Sequence, residues 1–151
     1  MAQPRFTDKV VLFSDIHNFS KIVAEMGSDY PIFIQQYYSA IGDDIVQAGG
    51  RIVKYMGDAI LAVFARNAES KVVNCARKMR KRYAHLVEAS AVTTRSELEI
   101  GINSGPVSFG TFGHPSLRTF RRIRTYRKRG CDDNALSWNR YHGKDVSKAA
   151  F

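Results

Sequence analysis

Residues 51–64 read Arg-Ile-Val-Lys-Tyr-Met-Gly-Asp-Ala-Ile-Leu-Ala-Val-Phe. Two runs rich in β-branched and apolar side chains are separated here by Gly57 and Asp58 alone. This spacing is typical of a β-hairpin, so we predict strands over 51–56 and 59–64. The hairpin indicates an antiparallel sheet and holds the Asp58 carboxylate at a rigid turn.

An apolar run at residues 9–15 predicts a further strand, which ends in the carboxylate of Asp15. Adjacent antiparallel strands could bring Asp15 and Asp58 to one edge of the sheet. Paired carboxylates on rigid elements suit Mg²⁺, which prefers oxygen ligands and shares its coordination with substrate phosphates. Each aspartate also has a purely structural interpretation, Asp15 as the cap of the next helix and Asp58 as a favoured turn residue.

The other elements follow from helical periodicity and from the positions of glycine and proline. Helices are predicted over three ranges: 18–26, 29–48 and 67–88. Asn18 or Ser20 would cap the first of them. Strand-like runs at 98–103 and 107–110 flank a Ser-Gly-Pro sequence at 104–106, which predicts a second pair of strands joined by a turn.

The composition indicates one globular domain, since the chain has 151 residues of which 44% are hydrophobic, enough for a core. No apolar run approaches the roughly 18 residues that span a bilayer, and the first residues lack the pattern of a secretory signal. We therefore expect a cytoplasmic protein without a membrane segment. Cys75 and Cys131 lack the paired spacing of a zinc site, so we interpret them as ordinary thiols.

The net charge of +9 is unevenly distributed. Residues 1–120 carry 14 basic and 11 acidic side chains, whereas residues 121–151 carry 9 and 3. We predict a folded domain over 1–120 and a basic, disordered tail over 121–151, which lacks helical or strand periodicity. The tail has few aromatic residues and no recognition motif, so we expect no nucleic-acid partner. The basic residues of the third helix are interpreted as a solvated face: Lys71, Lys78, Lys81 and Arg82.

Three ordered segments carry a more specific pattern. Residues 11–20 contain an apolar strand that ends in Asp-Ile and is followed by Phe-Ser, and residues 49–64 contain Gly-Gly, Lys-x-x-Gly-Asp and Ala-x-Phe in that order. The third segment comprises 99–107 with Gly110, Gly113 and Arg118. Together they resemble the motifs of the class III adenylate and guanylate cyclase catalytic domains. The resemblance implies an α+β fold, the ferredoxin-like α/β sandwich of the class III nucleotidyl cyclases.

The resemblance also implies which residues form the site. Asp15, Asp58 and the backbone carbonyl of Ile16 would bind Mg²⁺ or Mn²⁺, with two metal ions per site. Lys54 would read adenine, because guanylate cyclases tend to have Glu at its position; alternatively, Lys54 is an ordinary surface lysine of a strand. Other residues would contact the substrate, with the backbone N–H groups near the first helix binding the triphosphate: Ile16, Asn18, Phe19, Ser20 and Gly57.

The function implied by the resemblance is that of an adenylate cyclase, which converts ATP to 3′,5′-cyclic AMP and pyrophosphate in cyclic nucleotide signalling. It implies a homodimer with composite sites, in which one subunit supplies the metal carboxylates and the other the base and ribose contacts. The alternative is a truncated, inactive cyclase-like module that binds Mg-ATP or dimerises without turnover.

The resemblance ends at Phe120. The family continues with a segment whose Asp reads adenine and whose Asn orients the ribose, whereas this chain has the basic run 121–129. Synonymous codons for 121–130, read from the second base, can encode Asp-Val-Phe-Gly-Arg-Ile-Ala-Asn-Glu-Ala, which has the family's order. We therefore expect a frame disruption or truncation after Phe120 and the loss of C-terminal strands, which sequencing of the gene would test.

Overall fold

The computed structural model describes residues 5–111 and the strand at 121–125. A short 3₁₀ turn, Gly27–Asp29, joins the first two helices. The strands and helices are, in chain order, β1 (Arg5–Ile16), α1 (Phe19–Met26), α2 (Tyr30–Gln47), β2 (Arg51–Met56), β3 (Ala59–Phe64), α3 (Glu69–Ala89), β4 (Leu98–Thr111) and β5 (Arg121–Thr125).

The five strands of the described residues form one sheet in the order β2-β3-β1-β4-β5, and all neighbouring strands are antiparallel. The central strand β1 pairs with β3 on one side and with β4 on the other. The predicted hairpin is confirmed, since β2 and β3 are joined by Gly57 and Asp58 alone. Helices and sheet together form the predicted α+β sandwich.

The helices cover one face of the sheet, which we call the helical face. The main core lies there, and its largest fully buried side chains include Leu12 of β1, Ile60 of β3, Tyr37 and Ile41 of α2, and Met79 and Tyr83 of α3. Because side chains alternate along a strand, the odd-numbered residues of β1 point to the opposite face, the second face. A smaller apolar cluster of Val11, Val63 and Val107 is buried there.

The two glycines of the second motif have different structural roles after α2. Gly49 has a φ of 83°, a conformation that side chains with a Cβ rarely adopt. A Cβ on Gly50 would lie 2.5 Å from Cε1 of Phe64, so glycine lets the chain pass close to β3. The pair therefore ends the helix and brings β2 beside β3.

An ion cluster, Asp44 with Lys78 and Arg82, joins α2 to α3. Asp44 is 2% exposed. Arg82 donates two hydrogen bonds to its carboxylate, at 2.8 and 2.9 Å, and the Lys78 ammonium lies 2.9 Å from it. Two of the four basic residues interpreted as a solvated face, Lys78 and Arg82, thus bind a buried carboxylate. The charge pattern of α3 could not indicate this, because the acidic partner lies on another helix.

Two sequence predictions are corrected at β4 and the first helix. The predicted turn at 104–106 is part of one continuous strand, because β1 begins at Arg5 and pairs with β4 along its whole length. Gly105, with a φ of 152°, lets the strand continue. Neither Asn18 nor Ser20 caps α1 through a side chain, since the helix follows Asn18 without a side-chain cap bond.

The strand β5 was not expected, because residues 121–129 show no strand periodicity. Arg121–Thr125 nevertheless pairs with Val107–Thr111 of β4. A sheet edge binds its neighbour through main-chain groups, so pairing at an edge does not require alternating side chains.

The rest of the predicted tail, with Cys131, lies outside the described residues, as do Gly113 and Arg118. The domain boundary at residue 120 and the frame disruption stay predictions.

Two further expectations concern the described residues. Within 5–111 and 121–125, no helix is both long and apolar enough to cross a membrane. Cys75 is a buried free thiol in α3. Burial, followed by the charge of Asp44, raises the pKa of this thiol to about 11, so Cys75 is protonated at neutral pH.

Candidate active site

The structure brings Asp15 and Asp58 together at one corner of the sheet. Ser14 of β1 pairs with Ile60 of β3, and this antiparallel register continues to place Ile16 level with Asp58. The backbone N–H of Ile16 donates to Oδ2 of Asp58 at 3.1 Å. The Asp15 and Asp58 carboxyl groups lie close enough for Asp15 to affect the protonation of Asp58. The juxtaposition that the strand pattern predicted is therefore present.

The environment of Asp58 favours its protonated form. Burial is the largest cause, followed by the hydrogen bond with Asp15 and by the negative charge of Asp15, and together they raise the pKa of Asp58 to about 6. Hydrogen bonds from the backbone N–H groups of Asp58 and Ile16 act in the opposite direction. Asp58 therefore keeps its proton at mildly acidic pH, where an exposed aspartate is ionised.

The donor atoms at this corner fit a hard divalent cation. Asp15 and Asp58 supply carboxylate oxygens, and Ile16, whose carbonyl is the third candidate ligand, ends β1 next to them. Mg²⁺ and Mn²⁺ prefer such oxygen ligands and are commonly bound by one or two carboxylates together with substrate phosphates. No cluster of three or more His, Cys, Asp or Glu side chains that could hold a metal occurs in the part of the chain that the structure describes.

The segment predicted to bind phosphates turns sharply at Asn18, whose φ is 60°. Two of its N–H groups already have acceptors: that of Ile16 bonds Asp58, and that of His17 bonds the Glu97 carbonyl at 2.9 Å. The next three N–H groups, of Asn18, Phe19 and Ser20, begin α1, where backbone donors lack partners within the helix. These three are the donors that an anion could use.

The loop at 93–97, which sequence reasoning missed, holds this turn in place. The Asn18 side-chain amide donates to the Arg95 carbonyl at 3.0 Å, and the Ser96 hydroxyl donates to the His17 carbonyl at 2.7 Å. The Tyr83 and Ser96 hydroxyls are 2.6 Å apart, which ties the loop to α3. The residues that form these contacts lie far apart in sequence, so no local sequence pattern predicts the contacts.

Glu25 of α1 binds the same loop through hydrogen bonds. Its carboxylate accepts four hydrogen bonds, from the backbone N–H and the hydroxyl of both Thr93 and Thr94, at 2.5 to 3.0 Å. These bonds, led by the one from the Thr94 side chain, lower the pKa of Glu25 to about 2. Glu25 is therefore ionised throughout the neutral range.

Lys54 lies on the second face because of a β-bulge. The register of β2 against β3 shifts between Ile52 and Lys54, so Val53 has no partner of its own. Ile52 packs on the helical face, and strict alternation would put Lys54 there too. The extra residue instead pairs Lys54 with Leu61, which packs on the second face. Lys54 and Asp15 thus share one face of the sheet.

His17 and Glu99 form a further polar pair beside the carboxylates. Glu99 of β4 is paired directly with Asp15 of β1, and its Oε1 lies 3.0 Å from Nδ1 of His17. The sequence placed both residues inside motifs, but only the register of β1 against β4 brings them together.

Two tyrosines of α2 reach the ends of the strands that carry the aspartates. The Tyr37 hydroxyl lies 3.4 Å from the Ser14 hydroxyl in the core, next to Asp15. The Tyr38 hydroxyl donates to the carbonyl of Gly57, next to Asp58. Burial, with smaller contributions from the charges of Asp58 and Asp15, raises the pKa of Tyr37 far above its ordinary value.

Comparison with known proteins assigns this chain to a family. Residues 1–120 match the family model of the adenylate and guanylate cyclase catalytic domain. The chain therefore belongs to the class III nucleotidyl cyclases, a family of enzymes that includes adenylate cyclases. This confirms the resemblance carried by the three sequence motifs.

The relatives found include several adenylate cyclases. The adenylate cyclase of Anabaena cylindrica is 31% identical over 116 residues, which are 70% of this chain and 22% of that protein. Adenylate cyclase type 10 of Oryctolagus cuniculus is 26% identical over 156 residues, 93% of this chain and 9% of that protein. The second match necessarily extends beyond Phe120. The chain spans about a fifth or less of the length of these relatives.

A solved structure shares the fold. The adenylyl cyclase CyaB from P. aeruginosa superposes with a TM-score of 0.72 at 24% identity, over 81% of this chain and 67% of that one. The predicted cyclase-type α/β sandwich is confirmed at this level.

Proposed function

We propose that this domain is an adenylate cyclase, which converts ATP to 3′,5′-cyclic AMP and pyrophosphate. The observation that carries the proposal is the proximity of two carboxyl groups, Asp15 and Asp58, at the corner of β1 and the β2–β3 hairpin, where the Ile16 N–H donates to Asp58. Membership in the cyclase family and the adenylate cyclases among the relatives support the same reaction.

In this reaction the ribose 3′-oxygen attacks the α-phosphorus. A bond forms between these two atoms, the bond from the α-phosphorus to the bridging oxygen breaks, and pyrophosphate leaves with that electron pair while the hydroxyl proton passes to solvent. Asp15, Asp58 and the Ile16 carbonyl would hold two Mg²⁺ or Mn²⁺ ions. When bound, these ions would lower the pKa of the 3′-hydroxyl and offset the charge of the leaving group.

The start of α1 would orient the triphosphate. The N–H groups of Asn18, Phe19 and Ser20 point from the positive end of a helix, where anions are favoured. Gly57 lies at the hairpin tip, where no described residue other than its two chain neighbours comes within 4 Å of the position that a Cβ would take, so a substrate can approach its backbone. The 93–97 loop would keep the turn at Asn18 in the conformation that presents these donors.

Lys54 would select the base. Its ammonium can donate to N1 of adenine, whereas N1 of guanine carries a hydrogen and cannot accept. In the proposed homodimer, the base at one pair of carboxylates would be read by Lys54 of the partner subunit. The shared orientation of Asp15 and Lys54 on the second face supports this arrangement, since two copies that join along this face would each present both groups.

The metal site is tested by titrating Mn²⁺ in the presence of a non-cyclisable ATP analogue. Asp15→Ala and Asp58→Ala should each abolish metal-dependent nucleotide binding, because either change removes an anionic ligand and leaves the triphosphate facing less positive charge. Asp43→Ala, which removes an exposed carboxylate of α2, is the matched control. Unchanged binding in both site variants would reduce the aspartates to cap and turn residues.

Turnover decides between the enzyme and the truncated, inactive module. Cyclic AMP formed by the native chain with Mn²⁺ and ATP supports the enzyme. Nucleotide binding with no cyclic AMP at saturating Mn²⁺ supports the module instead.

Base selection and dimerisation are tested with Lys54→Glu. The native chain should prefer ATP to GTP in competition, and the variant should reduce that preference by roughly ten- to a hundredfold, the order expected for one charged hydrogen bond. Mixing Lys54→Glu with Asp58→Ala should restore part of the cyclase activity, because a mixed dimer contains one intact composite site. Equal binding of GTP and ATP by the native chain would contradict the adenylate assignment, and no recovery on mixing would contradict the shared site.

A further inference from the structure

Tyr38 of α2 contacts the turn that carries Asp58. Its hydroxyl donates to the carbonyl of Gly57, the residue immediately before Asp58. This bond joins the helix layer to the tip of the hairpin. It acts one peptide unit away from the carboxylate that the proposed function places on the metal.

The Tyr38 ring is itself held from two sides. It lies 4.4 Å, centroid to centroid, from the ring of Tyr55, which belongs to β2 of the same hairpin. On its own helix it lies 5.8 Å from the ring of Tyr37, a core residue with no exposed surface. The hydroxyl is therefore presented to Gly57 from a fixed position, with little side-chain freedom left to lose.

Two contacts from other elements hold the hairpin tip. Gly57 has a φ of 62°, and no neighbouring atom approaches the site of a Cβ there. The Ile16 N–H holds the Asp58 side chain from β1, and the Tyr38 hydroxyl holds the Gly57 carbonyl from α2. These two bonds fix the side chain and the main chain of the tip separately.

The Tyr38 hydroxyl remains a donor at neutral pH. Burial first, then the charge of Asp58 and the neighbouring Tyr55, raise the pKa of Tyr38 above its ordinary value. A hydroxyl that keeps its proton can donate continuously to the Gly57 carbonyl.

We propose that Tyr38 is a positioning residue, whose hydroxyl fixes the hairpin tip so that the Asp58 carboxylate meets Asp15 in the geometry needed to bind a divalent cation. The inference rests on the proposed function for the role of the cation. Without the hydroxyl, Asp58 samples more orientations, and metal binding must restrict them. Metal affinity then falls, while the carboxylates themselves remain.

The test compares Tyr38→Phe with Tyr55→Phe. Each variant keeps the contact between the two rings and removes one hydroxyl. Within the described residues, the Tyr38 hydroxyl donates to the hairpin tip, and no such bond of Tyr55 is observed. Binding of Mn²⁺ with a non-cyclisable ATP analogue is followed by electron paramagnetic resonance, and amide hydrogen exchange is measured at residues 57–59. We expect Tyr38→Phe to weaken Mn²⁺ binding about three- to tenfold, the order of one hydrogen bond. Saturating Mn²⁺ should restore full nucleotide binding.

The same variant should exchange the amides of 57–59 faster, whereas Tyr55→Phe should match the native chain in both measurements. Equal Mn²⁺ affinity and equal exchange in the two variants would overturn the role of Tyr38. Weaker binding that saturating Mn²⁺ does not restore would also overturn it, because that result indicates a general structural loss. A native chain that binds no Mn²⁺ with nucleotide contradicts the proposed function instead. Exchange at 57–59 then still decides whether Tyr38 fixes the tip.

Discussion

Asp44 and Asp58 are both carboxylates at least partly removed from water, yet their environments act in opposite directions. Asp44 lies between α2 and α3, where Arg82 and Lys78 bind it and lower its pKa despite the opposing effect of burial, which is the largest single cause. Asp58 lies at the hairpin tip, where burial and the second carboxyl group of Asp15 raise its pKa to about 6. The neighbours of Asp44 are thus two cationic side chains, whereas the neighbour of Asp58 is another carboxyl group.

The difference separates a structural charge from a functional one. A carboxylate that the chain's own cations neutralise is required by the fold, because its removal leaves those cations without their partner. A pair of carboxyl groups brought together on rigid strands destabilises the ionised state, and a bound cation relieves that cost. Substitutions at the two aspartates should therefore have opposite effects on stability.

The largest effect is expected at Asp44. Asp44→Ala should lower the free energy of unfolding by about 2–3 kcal/mol, below the roughly 3–5 kcal/mol of a fully buried pair that loses one partner. The loss is smaller because the Lys78 and Arg82 side chains are 50% and 40% exposed and can turn to water. Urea denaturation measures it, with the exposed Asp43→Ala as control. If both variants unfold at the same urea concentration, the ion cluster does not stabilise the fold.

A smaller effect of opposite sign is expected for Asp58→Asn in metal-free buffer with chelator. The pKa of Asp58 is about 6 when folded against an ordinary 3.8, so the folded state holds the proton more tightly than the unfolded state. The native chain therefore loses stability as the pH rises from about 4 through 6. The variant, which cannot ionise, should melt at a higher temperature than the native chain at pH 7.5 but at the same temperature near pH 4. A native chain that is the more stable at pH 7.5 would contradict the raised pKa.

The smallest effect is expected for Glu25→Gln. The neutral amide can still accept hydrogen bonds from the 93–97 loop, but bonds to a charged acceptor are stronger. The amides of Thr93 and Thr94 should exchange hydrogen several-fold faster, with little change in melting temperature. Glu88→Gln, on an exposed turn of α3, is the control. The same exchange rates in both variants would show that the loop is held without Glu25.

The sequence predicts the hairpin and the helices well because their determinants are local. Gly57 and Asp58 set the turn, and the apolar spacing of α2 sets its buried face. The single long strand β4 escaped prediction because its continuity depends on β1, about 90 residues earlier in the chain. The short strand β5 escaped it because main-chain groups at an edge need no side-chain pattern.

At the candidate site, the two aspartates could be predicted and their supports could not. Asp15 and Asp58 stand at the ends of apolar runs, which a motif can identify. Tyr38, Glu25 and the 93–97 loop act on them or on the turn at Asn18 through contacts between distant segments. Those contacts depend on tertiary packing, which does not follow any local periodicity of the sequence.

The bulge at Val53 also bears on how the length of this segment can vary. Val53 is a surplus residue: without it, Ile52 would pair with Ala62 and Lys54 with Leu61 in an unbroken ladder. A one-residue deletion at this position would leave Lys54 on the same face and the distance to Asp58 unchanged, whereas a deletion between Lys54 and Gly57 would turn the lysine to the other face. This chain can therefore lose a residue before the lysine, but not after it, and keep Lys54 on the same face.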